Sequence, residues 1–128
     1  MHHNPKISII IPALNEEESI GQVLNDIPGE IVEEVIVVDN GSSDNTVTVS
    51  KGLGANVILE PLKGYGSACL RGISILKQET DIVVFLDADY SDYPQDLHTV
   101  VKPIIDDDAE MVIGSRMLGV RKKCALLP

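Results

Sequence analysis

Asp87 and Asp89, separated only by Ala88, follow the apolar run Ile82-Val83-Val84-Phe85-Leu86. Paired carboxylates of this kind suit Mg²⁺ or Mn²⁺, hard cations commonly held by one or two carboxylates while phosphate oxygens and water complete the shell. A cation so held can bridge a diphosphate and stabilise the charge left on a departing group. The alternative is that one Asp caps the turn and the other is solvated, because Asp favours turns in any case. Emergence from the end of a strand shifts the balance toward the ligand role.

Other candidates carry weaker signals. Asp39 ends the run Val35–Val38 and opens Asp39-Asn40-Gly41; it can accept hydrogen bonds from a nucleobase or ribose, or simply start a tight turn. Asp44 stands before Thr46-Val47, where a carboxylate caps a helix N-terminus and can also shape a ligand loop. Asn15 precedes Glu16-Glu17-Glu18, whose charges suit the positive end of a helix dipole, so Asn15 reads as an N-cap. Pro12-Ala13-Leu14-Asn15 also places backbone N–H groups beside the expected crevice. Lys63-Gly64-Tyr65-Gly66-Ser67-Ala68 is a glycine-rich lead-in that can bring backbone donors near phosphate, although it matches neither the Walker pattern nor the dinucleotide fingerprint. Arg71, a turn further on, reads equally as a surface residue. Arg116, in Gly114-Ser115-Arg116, can grip a phosphate with both arms of its guanidinium or pair with Asp87 or Asp89.

The elements that must position these residues are short apolar runs rich in Ile and Val: Ile7–Ile11, Val35–Val38, Val57–Leu59, Ile82–Leu86 and Met111–Ile113. They do not alternate with polar residues, as expected of parallel strands covered on both faces. Helical stripes lie between them, at Ile20, Val23, Leu24 and Ile27, across Asp44–Leu53 and Tyr65–Gln78, and at Leu97, Val100, Val101, Ile104 and Ile105. The predicted order is β-α-β-α-β-α-β-α-β, an α/β fold with an open, mostly parallel sheet and helices on both faces. Ligands of such sheets bind beyond the carboxyl ends of the strands, where all the candidates above lie.

With 128 residues and 44% apolar composition, the chain suits one domain. A formal net charge of −10 argues against nucleic acid, whose binding depends on lysines and arginines displacing counterions. Cys69 and Cys124 fit no zinc spacing or disulfide framework and point to a reducing cytosol. No apolar run approaches the roughly 20 residues that span a bilayer, and the start lacks a signal-peptide core.

Taken together, Ser8-Ile9-Ile10-Ile11-Pro12-Ala13-Leu14-Asn15-Glu16, Val37-Val38-Asp39-Asn40-Gly41-Ser42-Ser43-Asp44 and Phe85-Leu86-Asp87-Ala88-Asp89 resemble the family-2 glycosyltransferases of GT-A fold. Asp87 through Pro94, followed by Gly114-Ser115-Arg116, is most similar to the branch of dolichyl- and polyprenyl-phosphate mannose and glucose synthases. The resemblance implies that residues 1–128 are the nucleotide-sugar-binding part of a glycosyltransferase, with Pro12, Ala13, Asn15, Glu16 and Asp39 lining the nucleoside pocket. Leu14, Gly41, Ser67 and Ala88 complete the expected nucleotide-binding set. It further implies that Asp87 and Asp89 hold Mg²⁺ or Mn²⁺ and the diphosphate, and that Arg116 approaches a phosphate, so these three are the expected catalytic residues. The reaction implied is inverting transfer of a hexose from a UDP- or GDP-sugar, with a lean to UDP, to a polyprenyl phosphate at the cytoplasmic membrane face. Relatives continue well past Pro128, so a C-terminally truncated enzyme and self-association into a homo-oligomer are expected as well.

Two other enzyme classes fit less well. Haloacid-dehalogenase-like phosphatases place their Asp-x-Asp after the first strand, whereas here it follows the fourth. Sugar-nucleotide pyrophosphorylases need a glycine-rich Arg loop where Pro12-Ala13-Leu14-Asn15 stands. A non-catalytic nucleotide-binding or interaction module is the remaining alternative.

Overall fold

The computed structural model describes residues 5–90, 94–97, 99, 101–102, 111–114 and 117–121. Strand β1 (Ile7–Ala13) leads to helix α1 (Ile20–Asp26), β2 (Val32–Asp39), α2 (Thr46–Gly52), β3 (Asn56–Leu59), α3 (Tyr65–Ser74) and β4 (Ile82–Phe85). A 3₁₀ turn at Pro94–Asp96 precedes helical residues at 97, 99, 101 and 102, and the described chain closes with β5 (Met111–Gly114) and β6 (Met117–Arg121). The six strands form one sheet in the order β3-β2-β1-β4-β6-β5.

The unbroken Ile run of β1 follows from its central place, paired in parallel with β2 on one side and β4 on the other. Successive side chains face opposite sides of a strand, and both sides are covered. Ile7, Ile9 and Ile11 join Val37, Val84 and Leu86 in a cluster closed by Ile20 and Val23 of α1 and by Leu97 and Val101. Ile10 points the other way, packing with Ile36, Val38, Val83 and Phe85 beneath Ala68 of α3. Ile9, Ile10 and Ile11 are each fully buried, a contribution of roughly 1.5–3 kcal/mol apiece. Helices therefore cover both faces, as the sequence predicts.

Three boundaries depart from the pattern. β2 begins at Val32 rather than Val35: Glu33 and Glu34 interrupt the apolar run, but Val32 and Glu34 still pair with β1 while the register skips Glu33. Glu34 tolerates its half-buried place by accepting from the Ser8 hydroxyl at 2.9 Å and from the Lys77 backbone N–H at 2.9 Å. Helix α3 stops at Ser74 instead of running to Gln78, and Ile75 and Leu76 turn in against the second core cluster. The largest correction is β6, which the sequence did not announce. It inserts antiparallel between β4 and β5. β5 still runs in the direction of β1 to β4, and only β6 opposes them. Val100, Ile104 and Ile105 of the predicted last helix lie outside the described residues. Among those described, no helix is long and apolar enough to cross a membrane.

Close seating of α3 on β1 depends on Gly72. A methyl group there would stand 2.6 Å from Ile10 Cγ2 and 3.1 Å from its Cδ1. Ile10 is fully buried on the central strand and cannot withdraw. Gly72→Ala is therefore expected to destabilise the fold by about 1–3 kcal/mol, despite alanine's better helix propensity. A thermal melt should show a midpoint lowered by several degrees; an unchanged or raised midpoint would show that α3 shifts freely.

Candidate functional site

The strand order creates a switch point. From β1 the chain passes to β2 and β3 on one side and then to β4 on the other, so loops leaving β1 and β4 diverge and leave a crevice at their carboxyl ends. Ala13 pairs with Asp39, and Ile10 pairs with Phe85. The Leu86 N–H still donates to the Ile10 carbonyl at 3.1 Å, so continuing the register brings Asp87 level with Pro12. The topology thus gathers Pro12 to Glu16, Asp39 to Asp44 and Asp87 to Asp89 along one edge.

Loops after β1 and β2 are stitched together by side chains. The backbone N–H groups of Asn15, Glu16 and Glu17 donate to Ser42 Oγ at 2.8 Å, Thr46 Oγ1 at 2.8 Å and Asp44 Oδ2 at 3.2 Å. Of the backbone donors expected beside the crevice in Pro12-Ala13-Leu14-Asn15, that of Asn15 is thus already engaged. Asn15 does not cap α1. It adopts a left-handed φ of 54° and accepts the Ser43 N–H on Oδ1 at 2.8 Å, while Ser19 holds the N-cap position. Glu16 to Glu18 consequently form the turn before the helix, not its first turn.

Asp44 bonds to the first residue of α2, accepting from the Thr46 N–H at 2.9 Å and the Thr46 hydroxyl at 2.5 Å. The Thr46 hydroxyl is the main reason its carboxyl lies below the ordinary value, partly opposed by burial and aided by the backbone N–H groups of Thr46 and Glu17. Asn45, not Asp44, holds the N-cap position of α2, so of the two roles weighed for Asp44 its bonds to Thr46 and Glu17 give it that of loop-shaper.

Asp39 is 3% exposed and does two things at once. Its Oδ2 accepts the N–H groups of Gly41 at 3.2 Å and Ser42 at 3.0 Å, closing the turn. Its Oδ1 is buried with no hydrogen-bond partner among the described residues. A buried acceptor lacking a donor is costly and uncommon, and ligand sites are a recurrent reason for one.

The next residue binds the neighbouring loop. Asn40 Nδ2 donates to the carbonyls of Glu60 at 2.8 Å and Leu62 at 3.0 Å, while its Oδ1 accepts the Gly64 N–H at 2.9 Å. This brings the exposed Lys63 over Gly41, with Nζ 2.9 Å from where a Cβ would stand; glycine, at φ 103°, leaves it room. Lys63 thus supplies a cation beside the Asp39 turn. Sequence reasoning had it only as the first residue of a glycine-rich stretch. A lone basic side chain just past a strand's carboxyl end was the signal that could have found it. Asn40 and Ser19, whose bonds lock the loops, were missed because their partners are remote in sequence.

Gly64, at φ 125°, starts α3, with the half-buried Ser67 in the first turn. Cys69, one turn along, is pushed up by burial; a hydrogen bond with Tyr65 opposes this and the Asp87 carboxylate adds to it. The first turns of α3 therefore lie within electrostatic reach of Asp87.

At the end of β4, Asp87 is half-buried, Ala88 is buried and Asp89 is exposed. No cluster of three or more His, Cys, Asp or Glu side chains exists among the described residues. The donor set offered is therefore two carboxylates on one turn. That fits Mg²⁺ or Mn²⁺ with remaining positions filled by diphosphate and water, and does not fit an all-protein cage. Arg116 lies outside the described residues.

Comparison with known proteins follows the same geometry. The family model described as "Glycosyl transferase family 2" matches residues 8–122. An uncharacterised glycosyltransferase of Mycobacterium bovis is 43% identical over 86% of this chain and 48% of its own length. A UDP-N-acetylglucosamine–dolichyl-phosphate N-acetylglucosaminyltransferase of Methanococcus voltae is 36% identical, over 87% of this chain and 52% of its own. Among solved structures, glucosyl-3-phosphoglycerate synthase from Mycobacterium tuberculosis, in complex with Mn²⁺, UDP and glucosyl-3-phosphoglycerate, superposes with a TM-score of 0.72 at 32% identity. It covers 80% of this chain and 40% of that one. The chain spans about half the length of the curated relatives it matches.

Proposed function

This chain belongs to glycosyl transferase family 2, and from that premise we propose that it forms the donor-binding half of an enzyme that transfers a hexose from a UDP-sugar, with inversion, to a phosphate-bearing acceptor. The observation that carries the reading is the placement of Asp39, Asp87 and Asp89 around the switch point between β1 and β4. UDP and Mn²⁺ bound to the mycobacterial synthase support the donor and the cation.

Each role follows from the bonds described above. Asp39 Oδ1 offers a desolvated acceptor to the base, for which the N3–H of uracil is a suitable donor. Its neighbour Lys63 balances negative charge on the nucleotide in a chain that is otherwise strongly acidic. Pro12 to Glu16 form the wall opposite, held rigid by Ser42, Thr46 and Asp44. Asp87 and Asp89 would hold Mg²⁺ or Mn²⁺, which supplies charge stabilisation for the departing nucleoside diphosphate. An acceptor phosphate is ionised near neutral pH and attacks without a dedicated base, so no such base need reside in this half. A polyprenyl phosphate is the acceptor we favour, by likeness to the dolichyl-phosphate enzyme. With such an acceptor we further propose a cytoplasmic location, peripheral at the membrane face, with Arg116 toward a phosphate and self-association of the half-domain.

Calorimetric titration of UDP and GDP, each with Mn²⁺, with Mg²⁺ and with chelator, tests this directly. UDP is expected to bind at least about tenfold more tightly with a divalent cation than with chelator, a difference of about 1.4 kcal/mol. Failure of a folded sample to bind either nucleotide would overturn the reading. Cation-dependent binding with no transfer, even when the acceptor half is supplied, would favour a nucleotide-binding module instead.

A further inference from the structure

Tyr90, immediately after Asp87-Ala88-Asp89, has a φ of 61°, a left-handed conformation that side chains other than glycine rarely adopt. Asn15 is the other non-glycine residue in that region among those described, and its side chain is bonded across to the next loop. A bulky aromatic in this conformation persists only where its surroundings hold it there. The Tyr90 phenol donates a hydrogen bond to Oδ2 of Asp26, the last residue of α1. The ring packs against the core cluster that contains Ile20 and Val23.

The other end of the same helix grips the same turn. Ser19, the residue before α1, donates its hydroxyl to the Ala88 carbonyl at 2.7 Å, between the two acids. Helix α1 is fixed to the sheet by the fully buried Ile20 and Val23. It therefore braces the acidic turn at two points, Ala88 and Tyr90, which flank Asp89. Two carboxylates so close on one turn repel each other before a cation arrives, and an unbraced turn would let them splay.

We infer that Tyr90 is a positioning residue for the cation site, its bond to Asp26 holding the turn that carries Asp87 and Asp89 in the binding geometry before ligand arrives. The inference rests on the cation role proposed for those two residues. Groups behind a metal ligand commonly change metal affinity by about 10–100-fold when removed, and the low end applies to a group acting through the backbone.

The test compares the chain with its Tyr90→Phe, Asp26→Asn, Asp26→Ala and Tyr90→Phe/Asp26→Ala variants. UDP affinity is measured by calorimetry in Mn²⁺ and in EDTA, and thermal midpoints are taken without ligand. Tyr90→Phe should weaken UDP binding about tenfold in Mn²⁺ and leave the EDTA value unchanged. Asp26→Asn, which keeps a side-chain acceptor for the phenol, should stay close to wild type. Asp26→Ala should match Tyr90→Phe, and the double variant should be no worse than either single, since one interaction is removed in all three. Equal losses in Mn²⁺ and EDTA, or additive losses in the double variant, would show a merely structural role and overturn the inference. If the wild type itself binds UDP equally in Mn²⁺ and EDTA, the cation reading fails and this inference with it. If wild type shows the dependence and Tyr90→Phe keeps it in full, only the inference fails.

Discussion

Asp89→Ala is expected to abolish the Mn²⁺-dependent part of UDP binding, a loss on the order of 100-fold or about 2.7 kcal/mol, while the thermal midpoint of the unliganded protein barely moves. The two halves of this expectation have different causes. Asp89 is exposed at the carboxyl end of β4, so its removal opens no cavity; exposed substitutions of this kind usually stay within about 0.5 kcal/mol. Among the described residues there is no three-residue cluster able to hold a cation, so one carboxylate is half of the pair proposed to hold it there. A cation bound through so few protein oxygens depends on the diphosphate for the rest, and UDP and Mn²⁺ should each tighten the other's binding by the same factor. Titrating Mn²⁺ at fixed UDP and UDP at fixed Mn²⁺ checks this reciprocity. Asp89→Ala binding UDP as wild type does in Mn²⁺ would remove Asp89 from the cation site.

Asp39→Asn is expected to weaken UDP binding by about 10–100-fold and to erode the preference for UDP over CDP, with little change in fold stability. The substitution keeps one oxygen for the N–H groups of Gly41 and Ser42, so the turn survives. At the other position an NH₂ replaces the buried Oδ1 that now has no partner. Facing the N3–H of uracil, a donor would meet a donor, and both would be left unsatisfied at about 1–3 kcal/mol. Cytosine presents an acceptor at N3 and suffers no such conflict. Competition calorimetry with UDP and CDP on both proteins reads the change directly. An unaltered UDP affinity and an unaltered UDP to CDP ratio would show that Asp39 is a turn-former only.

The same residues show how far sequence reaches. Ile9-Ile10-Ile11 and Ile82 to Phe85 announce strands buried on both faces, because unalternating apolar runs suit burial on both sides and their β-branched content favours strand over a short buried helix. The helical stripe at Ile20 and Val23 is a local pattern of the same sort, and the three blocks Ser8–Glu16, Val37–Asp44 and Phe85–Asp89, read together, sufficed to place the family. Local period cannot, however, report which strand lies beside which. Met117 to Arg121, with a glycine at its centre, carries no strong strand signal, and it becomes β6 only because β4 and β5 each offer it an unpaired edge.

Side-chain bonding across loops is hidden for the same reason. Asn15 is a plausible helix cap until β1 and β2 are set in register. It then meets Ser42 and Ser43, 27 and 28 residues on, and bonds there instead. Asp39 reads as a turn residue from sequence, and it is one. That its second oxygen is left buried and unpaired follows from how the loops around it close. The chain's local chemistry therefore determined the strands, the helix faces and the three acids at one edge. The tertiary structure decided which of their hydrogen bonds are already spent and which are left for a ligand, since a hydrogen bond depends on atoms within about 3 Å and sequence spacing does not fix such distances between loops.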